Sequence, residues 1–335
     1  MQAKRGFSLI ELLVGLVLAM ATVIVVLQVF KLAEGMRRSS TSGDDAQTTG
    51  AIALTLLQRD LRQAGHGLVN ADLLGCEIAL PGGWTLNGLA PLTINHPDIP
   101  AGDAGTDNLL IIFGSGSGSP EGDLINSAVS SSDYSLATAH AFHVDERVIA
   151  APASRQSPCG LSLAQIIAEP TPPGVLVSAG TAGVAKGRLY NWGLAPSIAA
   201  YAVRGSRLTV CDFLTHDCRN ADPGHWVEIA DGIVSLRAQY GQDNSKDASV
   251  DSYDQNTPAS ACDWYRVIAM RFAIVARSPQ YERDIVTSAA PSWAAGNSAS
   301  ITLDGDGDWQ HYRYRVFQTT VPLRNVIWRG ALSGC

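Results

Sequence analysis

The chain has 335 residues and a mass of 35.4 kDa, with 46% hydrophobic and 16% charged residues, a mean hydropathy of +0.07 and a formal net charge of −7. That balance excludes a disordered chain and a polytopic membrane protein, and it argues against a nucleic-acid binder that neutralises phosphates over its whole surface. With 32 glycines and 16 prolines, the body reads as short strands joined by many turns rather than as a helical bundle.

The first element is apolar. From Phe7 to Phe30 there is no basic residue and one acid, Glu11, and about 20 such residues in a helix cross a hydrocarbon core. Lys4 and Arg5 precede the segment; flanking positive charge stays cytoplasmic, so the expected topology is N-in, C-out with the rest of the chain exported. An ordinary secretory signal would use Leu12 to Leu18 as its apolar core and Ala19-Met20-Ala21 as its cleavage site, releasing a soluble protein that starts at Thr22. Two features oppose that reading. The apolar run continues from Val23 to Phe30 past the cut, and an ionised acid inside hydrocarbon costs about 2.5 to 3.5 kcal/mol, so Glu11 needs a partner.

The stretch Lys4-Arg5-Gly6-Phe7-Ser8-Leu9-Ile10-Glu11-Leu12-Leu13 resembles the class III signal of type IV prepilins. The resemblance implies cleavage between Gly6 and Phe7 by a prepilin peptidase, N-methylation of Phe7, and an assembly role for Glu11. The physical reason is a charge match. Cleavage creates an α-amino group at Phe7 at the edge of the apolar region, and the Glu11 carboxylate of this or a neighbouring subunit supplies the opposite charge as the helix leaves the bilayer. The expected organisation is a leader at 1–6, a transmembrane or filament-core helix at 7–30, an amphipathic continuation at 31–65 and a globular periplasmic domain at 66–335.

In that continuation Ile52 and Leu56, then Ala53, Leu57, Leu61 and Ala64, follow one helical face, with Gln58, Arg59 and Arg62 largely opposite. Gly65 and Gly67 stop it. One helix from Phe7 to about Ala64 is expected, with Ser39 to Gly50 as the place where it could loosen. Beyond it, Asn108 to Phe113 reads as a buried strand ended by a loop-like Gly/Ser run, Gly114 to Ser119. Val203 to Leu214 reads as a hairpin about Gly205-Ser206. Alternating patterns through Val234–Tyr240 and Ile268–Val275 read as half-buried strands, and Tyr312 to Val321 as a last strand. The fold class is α+β: a long helix packed on a large, mainly antiparallel β-sheet domain.

The blocks Val227 to Ile233, Ser235 to Gly241, Arg266 to Ser278, Tyr312 to Phe317 and Val321 to Asn325 resemble the PilW family of large minor pilins, about a third of the chain. Residues 70 to 200 carry little of this resemblance. It implies a pilin-like fold and an inner-membrane protein that joins other minor pilins and the major pilin in a tip complex. That complex primes pilus assembly and displays a PilY-type adhesin, in support of adhesion and twitching motility. A J-type minor pseudopilin of a type II secretion system would share the helix and fold. A periplasmic binding protein or hydrolase with an ordinary signal peptide is the reading from another class.

Six cysteines in an exported chain point to disulfides. Six cysteines allow 15 pairings; Cys211 and Cys218 flank a short turn and are the first choice, Cys262 is the choice of partner for the final residue Cys335, and Cys76 with Cys159 is the third expected pair. A zinc reading would instead use Cys211, Cys218, His216 and His225, at a spacing that fits no compact zinc pattern. Asp304, Asp306 and Asp308 start like a calcium loop, but Trp309 and Arg315 occupy the places where that motif needs Gly and an acid. Gly114 to Ser119 matches neither a phosphate loop nor a nucleophile elbow. No catalytic or cofactor motif is found, no specific nucleic-acid binding is expected, and the chain is not expected to be an enzyme.

Overall fold

A computed structural model of the chain describes residues 8–68, 70–293, 299–303 and 307–327. One helix, Leu9–Gln63, runs unbroken for 55 residues, about 80 Å at 1.5 Å per residue. It passes through Ser39 to Gly50 without loosening. Its end is built by backbone: the Ala64 N–H donates to Asp60 O at 3.0 Å, and Gly65 and Gly67 take positive φ, which glycine adopts without a Cβ penalty. Gly65 N–H then donates to Ile112 O at 2.9 Å, fastening the helix end to a strand of the head. Asn325 Nδ2 donates to Gln63 O and Ala64 O at 3.0 and 3.2 Å and covers carbonyls the last turn leaves free.

The helix lies on a four-stranded antiparallel sheet in the order Ser252–Asp254, Ile233–Gln242, Val267–Arg277, Tyr314–Pro322. Its buried stripe is Ala46, Gly50, Ala53, Leu57, Leu61 and Ala64, spaced three and four apart as one face requires. Ile52, expected on that face, is 50% exposed, and Leu56 is only half-buried. The contact line is set by close approach: a Cβ on Gly50 would fall 2.1 Å from the Phe317 ring. That approach turns Ala53 and Leu57 inward and leaves Ile52 outside.

A five-stranded antiparallel sheet follows, in the order Val227–Asp231, Arg207–Asp212, Ser197–Val203, Leu109–Phe113, Leu92–Ile94. It is a middle layer. Leu109, Ile111, Ala199, Tyr201 and Val203 face the core shared with the helix and the four-stranded sheet, whereas Leu110, Ile112, Ile198, Ala200 and Ala202 face a second core. Burial on both faces is why Leu109 to Phe113 is continuously apolar rather than alternating. In the hairpin, Gly205 and Ser206 both take positive φ, +59° and +60°, a two-residue turn whose twist matches the strands. The Asp103 carboxylate accepts from both their N–H groups, at 2.8 and 2.7 Å.

The second core is closed by an eight-stranded sheet in the order Thr85–Leu86, Glu77–Ala79, Gly160–Gln165, Arg147–Pro152, Gly187–Gly193, Asp123–Ser130, Asp133–Leu136, Gly174–Leu176. One pairing in it is parallel, Glu77–Ala79 with Gly160–Gln165, and the Cys76–Cys159 disulfide joins the residues that enter these two strands. Its far side closes over a third core around Tyr134, Phe142, Val148 and Leu189. Residues 70 to 200, which have no readable family pattern, build this sheet and part of the middle one.

Val267–Arg277 departs from the half-buried expectation, because it is buried on both faces. Ala273 and Val275 are covered by Trp293 and Ile301 from the long connection to Tyr314–Pro322. The sheets are also tied by one buried acid, Asp107. Its carboxylate accepts from Asn95 Nδ2 at 3.0 Å, Ala238 N–H at 2.9 Å and Gln255 Nε2 at 2.7 Å, and its own N–H donates to Leu236 O at 2.8 Å. A buried carboxylate is tolerated only when satisfied in this way.

Candidate assembly surface

The structure divides one rod into two materials. Over Leu9–Arg37 the helix is long and apolar enough to cross a membrane, with a mean hydropathy of 2.8 in its most apolar eighteen-residue window and none of that window buried against the rest of the chain. Apolar side chains cover all sides: Leu9, Ile10, Leu12, Leu18 and Val26, which point around the whole circumference, are all exposed. A helix hydrophobic all round requires an apolar surrounding, either lipid or other helices. Thr22 does not disturb this, because its hydroxyl donates back to Leu18 O at 3.0 Å and Ala19 O at 2.8 Å.

Glu11 stands in the first turn, near the four N–H groups that a helix start leaves unpaired. It is exposed and makes no hydrogen bond or ion pair with any described residue. Its expected counterpart, the α-amino end at Phe7, and the cleavage residue Gly6 lie outside the described residues.

The second half of the rod is welded to the head. Besides the apolar stripe, Gln58 Nε2 donates to Thr319 Oγ1 at 2.9 Å, and the Tyr201 hydroxyl donates to Asp60 Oδ2 in a buried bond. Burial, reinforced by that bond, raises the Tyr201 pKa far above the usual phenol range, so the donor stays protonated. Asp60 Oδ1 accepts from Arg59 Nε at 2.7 Å, and this bond raises the Arg59 pKa. Asp60 sits on the buried stripe itself and is not flagged by apolar periodicity; only an acid breaking an apolar face could have marked it.

Cys211 and Cys218 form a disulfide, as do Cys76 and Cys159. Cys262 is disulfide-bonded; Cys335, its expected partner, lies outside the described residues. The zinc alternative fails, because Cys211 and Cys218 have spent their thiolates on each other. His216 and His225 do come together, with ring centroids 5.0 Å apart, but their Nδ1 atoms face Thr215 Oγ1 at 2.8 Å and Asp217 O at 3.3 Å respectively. Of the calcium candidates, Asp304 and Asp306 lie outside the described residues. Asp308 is exposed at the start of the short turn Trp309–His311. Among the described residues no three His, Cys, Asp or Glu side chains gather as a metal site.

Residues 202–325 match the family described as Type IV Pilus-assembly protein W. That region takes in the four-stranded sheet on which the helix lies and the strands Arg207–Asp212 and Val227–Asp231 of the five-stranded sheet. No curated protein matches the sequence. Among solved structures the chain is similar to a type IV-like pilin, TTHA1219 from Thermus thermophilus, at 14% identity, covering 55% of this chain and 87% of that one, with a TM-score of 0.21.

Proposed function

We propose, from the match of residues 202–325 to the family described as Type IV Pilus-assembly protein W, that the chain is a minor pilin that inserts at the pilus tip. The reading rests on one observation. A single continuous helix has an apolar half with no partner in its own chain and a second half that is the spine of a β-rich head. Such a subunit holds itself in the inner membrane by the apolar half, with the head on the periplasmic side, and passes that half into a filament core when neighbours offer an equivalent surface. Lys4 and Arg5 leave with the leader when the peptidase cuts between Gly6 and Phe7. The new amino end of Phe7, after methylation, then pairs with Glu11 of an adjacent subunit. In this role the head has no catalytic task; it contacts other minor pilins and a PilY-type adhesin, and so supports priming, adhesion and twitching.

Mass spectrometry of the processed protein tests the first step: a methylated Phe7 at the N-terminus is expected, and a start at Thr22 refutes it. Glu11→Ala should be cleaved normally yet be recovered at less than about a tenth of the wild-type level in sheared pili, since an unpaired charge at an apolar interface costs several kcal/mol. Equal incorporation would overturn the charge-pairing step. Deletion of the gene should abolish surface pili; loss of enzyme secretion with pili intact would assign the chain to a secretion pseudopilus instead.

A further inference from the structure

Where the helix ends, a crevice of about 260 Å³ opens between it and the eight-stranded sheet. Its lining comes from four distant parts of the chain: His66 after the helix, the Gly/Ser loop with Ser119, Tyr190 and Asn191 of strand Gly187–Gly193, and Asn325 near the C-terminal end of the described chain.

The walls are held firmly. Gly114, Gly116 and Gly118 alternate because every second residue of the loop lies flat on that strand. A Cβ would fall 3.2 Å from Trp192 O at Gly114, 2.6 Å from Asn191 O at Gly116 and 3.0 Å from Asn191 Cβ at Gly118. The Asn191 amide is fully engaged. Its Oδ1 accepts from Gly193 N–H at 2.7 Å, and its Nδ2 donates to Ala141 O and to Glu146 Oε2, both at 2.7 Å.

Other polar groups of the lining keep capacity to spare. Tyr190 Oη accepts from Asn70 Nδ2 at 2.5 Å and retains its own proton to donate; burial raises its pKa, so it stays a neutral donor. Asn325 gives its Nδ2 to the helix end and leaves Oδ1 with no donor among the described residues. His66 Nε2 lies 3.0 Å from Gly116 O, which leaves Nδ1, and the Ser119 hydroxyl has no partner among the described residues. None of the described residues lining the crevice is Asp, Glu, Lys or Arg.

These features select a ligand class. An ion would give up water without meeting a counter-charge, and a purely apolar group would strand the donors and acceptors. The volume lies below the roughly 300 to 1,000 Å³ of sites for drug-sized molecules, which suits one ring. We propose that this crevice binds a single neutral sugar ring, a hexose unit of a glycan, with Tyr190 Oη donating to one ring hydroxyl and Asn325 Oδ1 accepting from another. The inference is independent of the pilus assignment, since it rests on the head alone.

The test uses the full chain in detergent micelles and saturation-transfer NMR with free glucose, galactose, mannose and their N-acetylamino forms as probes, with inorganic phosphate and glutamate as charged controls. At least one hexose should bind with a Kd of about 1 mM, the range for a ligand of this size. Ser119→Trp, which fills the crevice from its exposed rim, should weaken binding about tenfold or more. Tyr190→Phe, which removes one hydroxyl and no ring, should weaken it severalfold. Absence of transfer from every sugar would overturn the proposal. So would undiminished binding in Tyr190→Phe, whether or not Ser119→Trp folds, and so would binding of phosphate or glutamate in place of the sugars.

Discussion

Leu57 and Ile52 stand five residues apart on the same helix, and the structure separates them completely: Leu57 is fully buried, whereas Ile52 is 50% exposed. Leu57→Ala removes three carbon groups from a closed core. Transfer alone accounts for about 2.4 kcal/mol at 0.8 kcal/mol per group. The cavity term raises the expected loss to about 3 to 5 kcal/mol, because Leu57 lies fully buried in a closed cluster of apolar side chains that relaxes only in part. Ile52→Ala removes groups that are half in contact with solvent already. Its transfer loss is about 1 kcal/mol, no cavity forms, and the better helix propensity of Ala returns a few tenths of that. The pair is compared by urea unfolding of the full chain in micelles, followed by the near-ultraviolet signal of the head. A difference of at least about 2 kcal/mol is expected, with Leu57→Ala the weaker. Equal losses, or a greater loss in Ile52→Ala, would show that the helix docks by the face apolar periodicity alone suggests and would refute the Gly50–Phe317 contact line.

The two described disulfides close loops of very different length, 83 residues for Cys76–Cys159 and 7 for Cys211–Cys218. Chain entropy puts their contributions at about 4.5 and 2.4 kcal/mol, so the double serine variant of the first pair should unfold at clearly lower urea than that of the second, and the reverse order would refute the estimate. Alkali should also weaken the head. Tyr134 and Tyr240 have their pKa pushed up to about 12 by burial, so the fold favours their protonated forms. The stability they contribute is complete below pH 10 and is lost as pH climbs from 10 toward 12, at up to about 1.4 kcal/mol per pH unit per tyrosine. Thermal unfolding scanned across that range should show the decline, flatter in Tyr240→Phe; a melting temperature that does not fall between pH 10 and 12 would contradict it.

The parts of this fold that can be read in advance are those in which one strong local signal decides. The apolar helix, the buried run Leu109–Phe113, the turn at Gly205-Ser206 and the alternating strands of the C-terminal third are of this kind. The eight-stranded sheet is not. Its strands run from two residues, Thr85–Leu86, to eight, Asp123–Ser130, and the longest carries register shifts at Ile125/Ser127 and Ala128/Ser130, which break the period of two that marks a strand. Its order is not sequential and it includes a parallel pair, which no local pattern announces. The Gly/Ser run from Gly114 reads as a loose loop, but its alternation is a packing requirement set by Trp192 and Asn191, residues more than seventy positions away. Burial of Ala273 and Val275 likewise depends on Trp293 and Ile301, so small side chains on an apparently open face gave no warning of a cover.

The polar contacts under the helix select the same register as the apolar packing. The docked stripe is Ala46, Gly50, Ala53, Leu57, Leu61 and Ala64, and sliding the rod by one turn brings Ala46 or Leu54 to the place of Gly50 against the Phe317 ring, and puts Thr49 or Leu57 where Ala53 packs. A slip of 5.4 Å would therefore disturb the packing at Gly50 and Ala53, and it would change by the same length how far the apolar half and Glu11 project from the head. Four interactions resist that slip because each needs one partner at one height: Gln58 with Thr319, Asp60 with Tyr201, Gly65 N–H with Ile112 O, and Asn325 with the last helical carbonyls. Losing Asp60 from Tyr201 would leave the buried Tyr201 hydroxyl and Asp60 Oδ2 without each other, with Arg59 holding only Oδ1, which costs more than the bond is worth when made. The asymmetry makes these groups weak sources of stability and strong selectors of register, and register is what a subunit needs if its membrane half is to meet a neighbour's at a fixed depth.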